Sequence, residues 1–187
     1  MAPSSQESRP SGPDEVRAAI LRAAAVRLSQ QGKGAALRDI AADADVNLGL
    51  IYRYFGRKDD LIRAVLDNRA QVTAVASSAP DTSDAVRRLF ANGAKNETYI
   101  RIIAWLLLEG ERDDLLPNTF PTLDAIRGRV YPDSPQELGL IAALAMLYGW
   151  TIFGERILDG FDRPSSEKSE WYNKLAELAA VLVDDQH

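Results

Sequence analysis

Apolar residues recur at helical spacing from the front of the chain. Val16, Ile20, Ala24 and Leu28 follow one another every four positions, which predicts a helix capped by Asp14 and ending near Gly32-Lys33-Gly34. Leu37, Ile40 and Ala41 form the edge of a second, short helix. Asp45-Val46 then makes a turn, Asn47 is a good cap for a third short helix, and Gly56 breaks it. A fourth helix opens at Lys58 or Asp59, carries Leu61, Val65, Val72 and Ala76 on one face, and runs to about Ser77, ahead of Pro80.

The pattern stays helical beyond that point. Asp81 or Ser83 starts a segment through Val86, Leu89 and Phe90. Asn96 to Glu111 includes Ile-Ile-Ala-Trp-Leu-Leu-Leu, apolar nearly all round and so expected to be buried. Pro117 and Pro121 bracket a loop before a short helix that ends near Val130. Ser134-Pro135-Gln136-Glu137 has the form of a capping box with proline at the first helical position, and a long helix should run from there to about Leu158. The last helix, Ser166 to Val183, puts Trp171, Leu175, Leu178 and Leu182 on one stripe. No segment reads as a strand and there is no repeat, so an all-α fold is expected. Its divisions are an arm over 1–13, a helix-turn-helix domain over 14–57 (the motif itself at about 36–55), and a second domain over 58–187 that begins with a connecting helix, 58–77.

On the third helix, Ile51 defines the core-facing direction. At about 100° per residue Phe55 falls about 40° and Tyr54 about 60° from it, so these three anchor the helix. Gly49 and Arg53 point almost opposite, with Tyr52 and Leu50 on the flanks. Arg53 can meet a phosphate or the acceptor edge of guanine, Tyr52 and Leu50 can touch a thymine methyl, and the backbone amides after Asn47 favour a phosphate. Arg38 and Lys58 are placed to hold the nucleic-acid backbone on either side. The candidate DNA contacts are therefore Arg38, Asn47, Leu48, Gly49, Leu50, Tyr52, Arg53, Tyr54 and Lys58.

Charge sharpens this picture. The net charge is −5, yet residues 1–69 hold 11 Lys and Arg against 9 Asp and Glu, and the remaining 118 hold 11 against 18. Phosphate affinity follows local charge, so any nucleic-acid contact should come from the front third alone. There is no cysteine, and the single histidine is His187. Disulfides, thiolate or histidine metal sites and histidine-based catalysis are thereby excluded. No phosphate loop or nucleophile elbow is present, and no enzyme activity, metal or cofactor is expected. The acidic residues Glu109, Glu111, Asp113 and Asp114 lack the spacing of a calcium loop and are expected to be a solvated helix end. The opening residues do not resemble a secretory leader, and the apolar run Leu138 to Phe153 spans about 16 residues, short of the roughly 20 needed to cross a bilayer. A cytoplasmic location and no membrane partner are the expectation.

The segments Leu37-Arg38-Asp39-Ile40-Ala41, Val46, Gly49, Ile51-Tyr52-Arg53-Tyr54-Phe55 and Lys58-Asp59-Asp60-Leu61 resemble the amino-terminal domain of the TetR family. The resemblance covers roughly residues 14–69. It implies dimers of all-helical subunits, commonly repressors released by a small ligand. It assigns Leu37 to Ala44 to the supporting helix, Asn47 to Phe55 to the recognition helix, and Lys58 to the lysine that clamps the DNA backbone. Two departures stand out: Ala36 replaces the usual hydroxyl residue, and Leu50 stands where a hydroxyl is favoured, which suggests an altered operator preference.

One short reading helix contacts few bases, so a homodimer on a pseudo-palindromic double-stranded operator is the expected arrangement. Ala142, Ala143 and Ala145 with Trp171, Leu175, Leu178 and Leu182 are the candidate interface. A small, largely apolar effector would be lined by Tyr99, Trp105, Tyr148, Trp150 and Phe153, with Asn92, Asn96 or Glu109 as polar anchors. An activator on the same scaffold, or a helical adaptor that has lost operator binding, stands as the alternative.

Overall fold

A computed structural model of the chain describes residues 10–69, 78–110, 115 and 126–184. The arm up to residue 9, the second half of the connecting helix with Val72, Ala76 and Ser77, the Pro117–Pro121 loop, the acidic residues Glu111, Asp113 and Asp114, and His187 lie outside them. Every regular element among the described residues is helical, as the sequence pattern requires. The chain forms two units. One comprises residues 1–68 and 102–116, the other 69–101 and 117–187.

In the first unit, α1 spans Pro13–Gln31. Its cap is Gly12, two residues earlier than the expected Asp14. Pro13 takes the first helical position because it has no N–H to leave unsatisfied, and Asp14 and Glu15 lie in the first turn, where the helix dipole favours acid. Ile20, Ala24 and Leu28 are buried as expected, and Leu21 and Ala25 are buried with them, so α1 is covered on more than one side. A 3-10 turn, Gly32–Gly34, leads to α2, Leu37–Asp43. Ala36 caps α2 with no side-chain hydrogen bond, the consequence of the missing hydroxyl. Asp45 bends the chain in the left-handed region, φ 51°, and α3 follows as Leu48–Phe55. The last helix of the amino-terminal segment, α4, is Lys58–Arg69. Its first turn is closed by Asp60, whose Oδ2 accepts from the Arg57 amide at 3.1 Å. Leu61, Ile62, Val65 and Leu66 are buried, so α4 falls in the same unit as the three helices before it.

The second unit contains α5, Thr82–Lys95, and the start of α6, Glu97–Leu108, whose residues from Ile102 onward group with the first unit. It also contains α7, Pro135–Gly160, and α8, Lys168–Leu182, which a 3-10 turn at Ser165–Glu167 precedes. Asp81 caps α5, accepting from the Asp84 amide at 2.7 Å. Ser134 caps α7, its Oγ accepting from the Glu137 amide at 3.1 Å. Glu137 reaches back to the Asp133 amide at 2.7 Å, one residue before the position a standard capping box would use. The core is Val86, Phe90, Ile126, Leu140, Leu147, Trp150, Tyr172 and Ala179, with α8 packed on α5 and α7. Close approach of α7 and α8 depends on Gly139: a Cβ there would lie 2.1 Å from the Leu182 carbonyl oxygen. Helix α7 is the one helix among the described residues long and apolar enough to cross a membrane by length and composition. One face of it is the core just named.

Candidate nucleic-acid interface

Helix α3, expected to read DNA, is short, and its inside and outside differ sharply. Ile51 is 0% exposed and is the one fully buried residue of α3. Tyr54 and Phe55 are half-buried beside it. On the other side Asn47, Gly49, Tyr52 and Arg53 are exposed, with Leu48 and Leu50 half-buried on the flanks. Tyr52 keeps 55% of its surface open. The helix begins as the sequence indicated: Asn47 Oδ1 accepts from the Gly49 amide at 2.8 Å and the Asn47 carbonyl from the Leu50 amide at 2.8 Å, which fixes the start. It ends at Gly56, φ 78°, whose amide donates to the Tyr52 carbonyl at 3.0 Å. A short polar-and-aromatic helix standing proud of a helix-turn-helix can enter a major groove.

The flanking cations are less uniform. Arg38 on α2 is exposed, 3.6 Å from Asp39. Arg57 is exposed at the start of α4, and Arg17 on α1 lies 5.4 Å over the Phe55 ring. Sequence reasoning passed over both. Arg57 sits next to Lys58 and was legible; Arg17 meets α3 only through the fold. Lys58 is half-buried, and its ammonium donates to the Lys33 carbonyl rather than standing free as expected. Burial and the neighbouring Lys33 charge pull the Lys58 pKa below the usual lysine range, against the opposing pull of Asp59 and Glu109.

The residues expected to line an effector cavity are dispersed. Trp105 and Glu109 fall in the amino-terminal unit, where Trp105 Nε1 donates to the Ser29 carbonyl at 3.2 Å and Glu109 Oε2 accepts from the Lys33 amide at 3.2 Å. Their expected place in the carboxy-terminal body is corrected accordingly; the α6 sequence is apolar on both sides and does not reveal which end meets which unit. Asn96 donates to the carbonyl and the side chain of Asn92, at 2.9 and 3.0 Å, so the two amides largely satisfy each other. Trp150 is core, with Nε1 3.3 Å from the Lys168 carbonyl, and Tyr99 is half-buried. Tyr148 and Phe153 are exposed on α7 instead of facing inward.

Those two belong to a different surface. Helix α7 turns Leu138, Ile141, Ala145, Tyr148 and Phe153 to the outside, and α8 does the same with Leu178, Val181 and Leu182. Ala145, Leu178 and Leu182 were expected on an interface and are exposed; Ala142, Trp171 and Leu175 are half-buried, the last two packed against the core, and Ala143, expected on the interface too, is buried in the core instead. Leu138, Ile141 and Val181 were not foreseen, although their spacing from Ala145, Tyr148 and Leu178 is helical.

A helix-turn-helix with an exposed aromatic and cationic reading helix defines a DNA-binding protein. Residues 20–65 match the family model described as bacterial regulatory proteins, tetR family. The HTH-type transcriptional repressor Rv3405c of Mycobacterium tuberculosis is 36% identical over 149 residues, which is 77% of this chain and 76% of that protein. Two solved structures share the fold: SCO4942 of Streptomyces coelicolor, with a TM-score of 0.64 at 20% identity over 90% of this chain and 96% of the other, and a TetR family transcription regulator of Marinobacter aquaeolei, with a TM-score of 0.62 at 18% identity over 90% and 95%. The chain belongs to the TetR family of transcriptional regulators.

Proposed function

We propose that the protein is a homodimeric repressor that reads a pseudo-palindromic operator with α3 and is released by a small, largely apolar ligand. The observation that carries the DNA half of the reading is the division of α3: Ile51 fully covered, Tyr52 and Arg53 exposed. Arg53 is the base-reading residue, with Leu50 and Tyr52 as apolar contacts and Arg38 as a backbone contact from α2. The repressor half is supported by the 36% identical relative, which is named a repressor. Dimerisation is supported by the outward apolar stripe of α7, where Leu138 and Ile141 stay 69% and 58% exposed in the single chain. Such a stripe is costly in water and fits a second copy laid against it.

Selection from random duplex DNA with purified protein tests the reading. Enrichment of two inverted half-sites about one helical turn apart is expected, and added cell metabolites should lower recovery of that duplex. Enrichment of no palindrome would favour the adaptor over the regulator.

A further inference from the structure

The last turns of α6, which group with the amino-terminal unit, bond the end of α1 and the turn between α1 and α2. Lys33 lies between two glycines, Gly32 and Gly34, so the chain alone holds this turn weakly. Beyond the bonds from the Gly32 amide to the Leu28 carbonyl and from the Ala35 amide to the Gly32 carbonyl, α6 supports it. Trp105 Nε1 bonds the Ser29 carbonyl at 3.2 Å, and Glu109 Oε2 accepts from the Lys33 amide at 3.2 Å. The fit at Gly32 is so close that an added Cβ would lie 2.7 Å from Glu109 Oε1 and 3.1 Å from the Trp105 Cβ. The Lys33 carbonyl, on the next peptide plane of the same turn, takes the ammonium of Lys58. The Glu109 charge also attracts Lys58. The Lys33 side chain is turned to Asp59, at 3.6 Å.

We propose that Glu109 is a positioning residue that holds Lys58 on the Lys33 carbonyl and away from DNA, so that the last turn of α6 sets how firmly the reading head grips phosphate. The gate rests on the reading of Lys58 as a phosphate contact. The bond to the Lys33 carbonyl uses one of the three ammonium donors and draws the half-buried Lys58 side chain onto the α1–α2 turn, so a phosphate competes with that carbonyl for the position of the ammonium. Loosening the turn weakens the competitor. Trp105 supports the same turn from the α1 side, and Glu109 supplies both the hydrogen bond and the charge.

The test uses the full chain and the selected operator duplex, titrated over a range of salt. Glu109→Ala is expected to bind the operator roughly three- to tenfold more tightly, with the slope of log affinity against log salt steeper by about 0.9 per protomer, the signature of one added phosphate contact. In a Lys58→Ala background the same substitution should change neither quantity. Glu109→Gln keeps an oxygen for the Lys33 amide and should give a smaller gain than alanine. Equal gains from glutamine and alanine, or a gain that survives in the Lys58→Ala background, would mean that bare charge repulsion of DNA is at work and would overturn the gate. Operator binding that Glu109→Ala leaves unaltered in affinity and slope would overturn it as well, with the regulator reading intact. A wild-type chain that enriches no duplex would sink that reading and the gate together.

Discussion

Helices α3 and α7 both present one face outward, and the two faces are chemically opposite. Helix α3 is a short run, Leu48–Phe55, held by one buried residue, and its open side carries Gly49, Tyr52 and Arg53. Helix α7 is long, Pro135–Gly160, with eight buried residues, yet its open side carries Leu138, Ile141, Ala145, Tyr148 and Phe153. Exposure alone therefore says little. A polar, cationic face is stable in water and can exchange it for phosphate and base edges. An apolar face of this length is costly in water, which is the ground for the proposed second copy. The difference also separates two kinds of anchoring: α3 must be held firmly by little, whereas α7 can lose a contact and stay in place.

That contrast can be broken most severely at Ile51. Ile51→Ala should cost about 2–5 kcal/mol in chemical unfolding of the amino-terminal unit, because a fully buried side chain leaves a cavity and α3 has no second buried anchor. A loss well under 1 kcal/mol would show that Tyr54 and Phe55 hold the helix instead. On α7, Ile141→Asp should leave the fold of the single chain intact while weakening self-association roughly a hundredfold, since each interface would then bury two uncompensated carboxylates. Sedimentation equilibrium reads this directly, and an unchanged association constant would free the α7 stripe from the dimer.

Smaller effects sharpen the comparison. Arg53→Ala should cost about 1–3 kcal/mol of operator affinity and relax specificity at one position of each half-site. If a repeated selection returns an unchanged motif, Arg53 is a phosphate contact rather than a reader. The least effect concerns acid. Burial pushes the Glu97 carboxyl up, but hydrogen bonds from Lys168 and Arg101, at 3.0 and 2.8 Å, outweigh it and hold the group below the usual glutamate range. A depressed carboxylate contributes stability above its ordinary pKa, about 4.3, and loses it as pH falls through the lower folded value. The melting temperature of the second unit should thus drop on acidification below about pH 4, and Glu97→Gln should flatten that limb. An identical acid limb in the variant would place the sensitivity elsewhere.

Much of the reading head was legible because its signals are local. The Asn47 cap, the Gly56 stop and the placement of Ile51 opposite Arg53 each involve residues within one or two turns, and all three hold in the structure. The capping of α7 by Ser134 was legible for the same reason, and for α5 the structure selects Asp81 over Ser83, the two starts the sequence left open. The start of α1 was misjudged by two residues, because Pro13 at the first position outweighs the acidic cap signal of Asp14. The body was harder. Its aromatics are spread over helices apolar on more than one side, and periodicity cannot say which apolar side meets the core. Tyr148 and Phe153 were expected inside and lie outside; Trp150, two residues from Tyr148, is core.

The order of residues by itself determined that this chain is helical, where most helices begin and end, and that its cationic reading face lies in the first third. Those properties follow from backbone capping and from 100° of rotation per residue, which act over a few positions. Only the tertiary structure decided that Lys58 rests on the Lys33 carbonyl, that Trp105 and Glu109 serve the amino-terminal unit, and that α7 turns an apolar stripe outward. Each of these depends on groups far apart in the chain, 25 positions for Lys58 and 76 for Trp105 and Glu109, and contacts at that separation are fixed by how helices pack rather than by any local pattern.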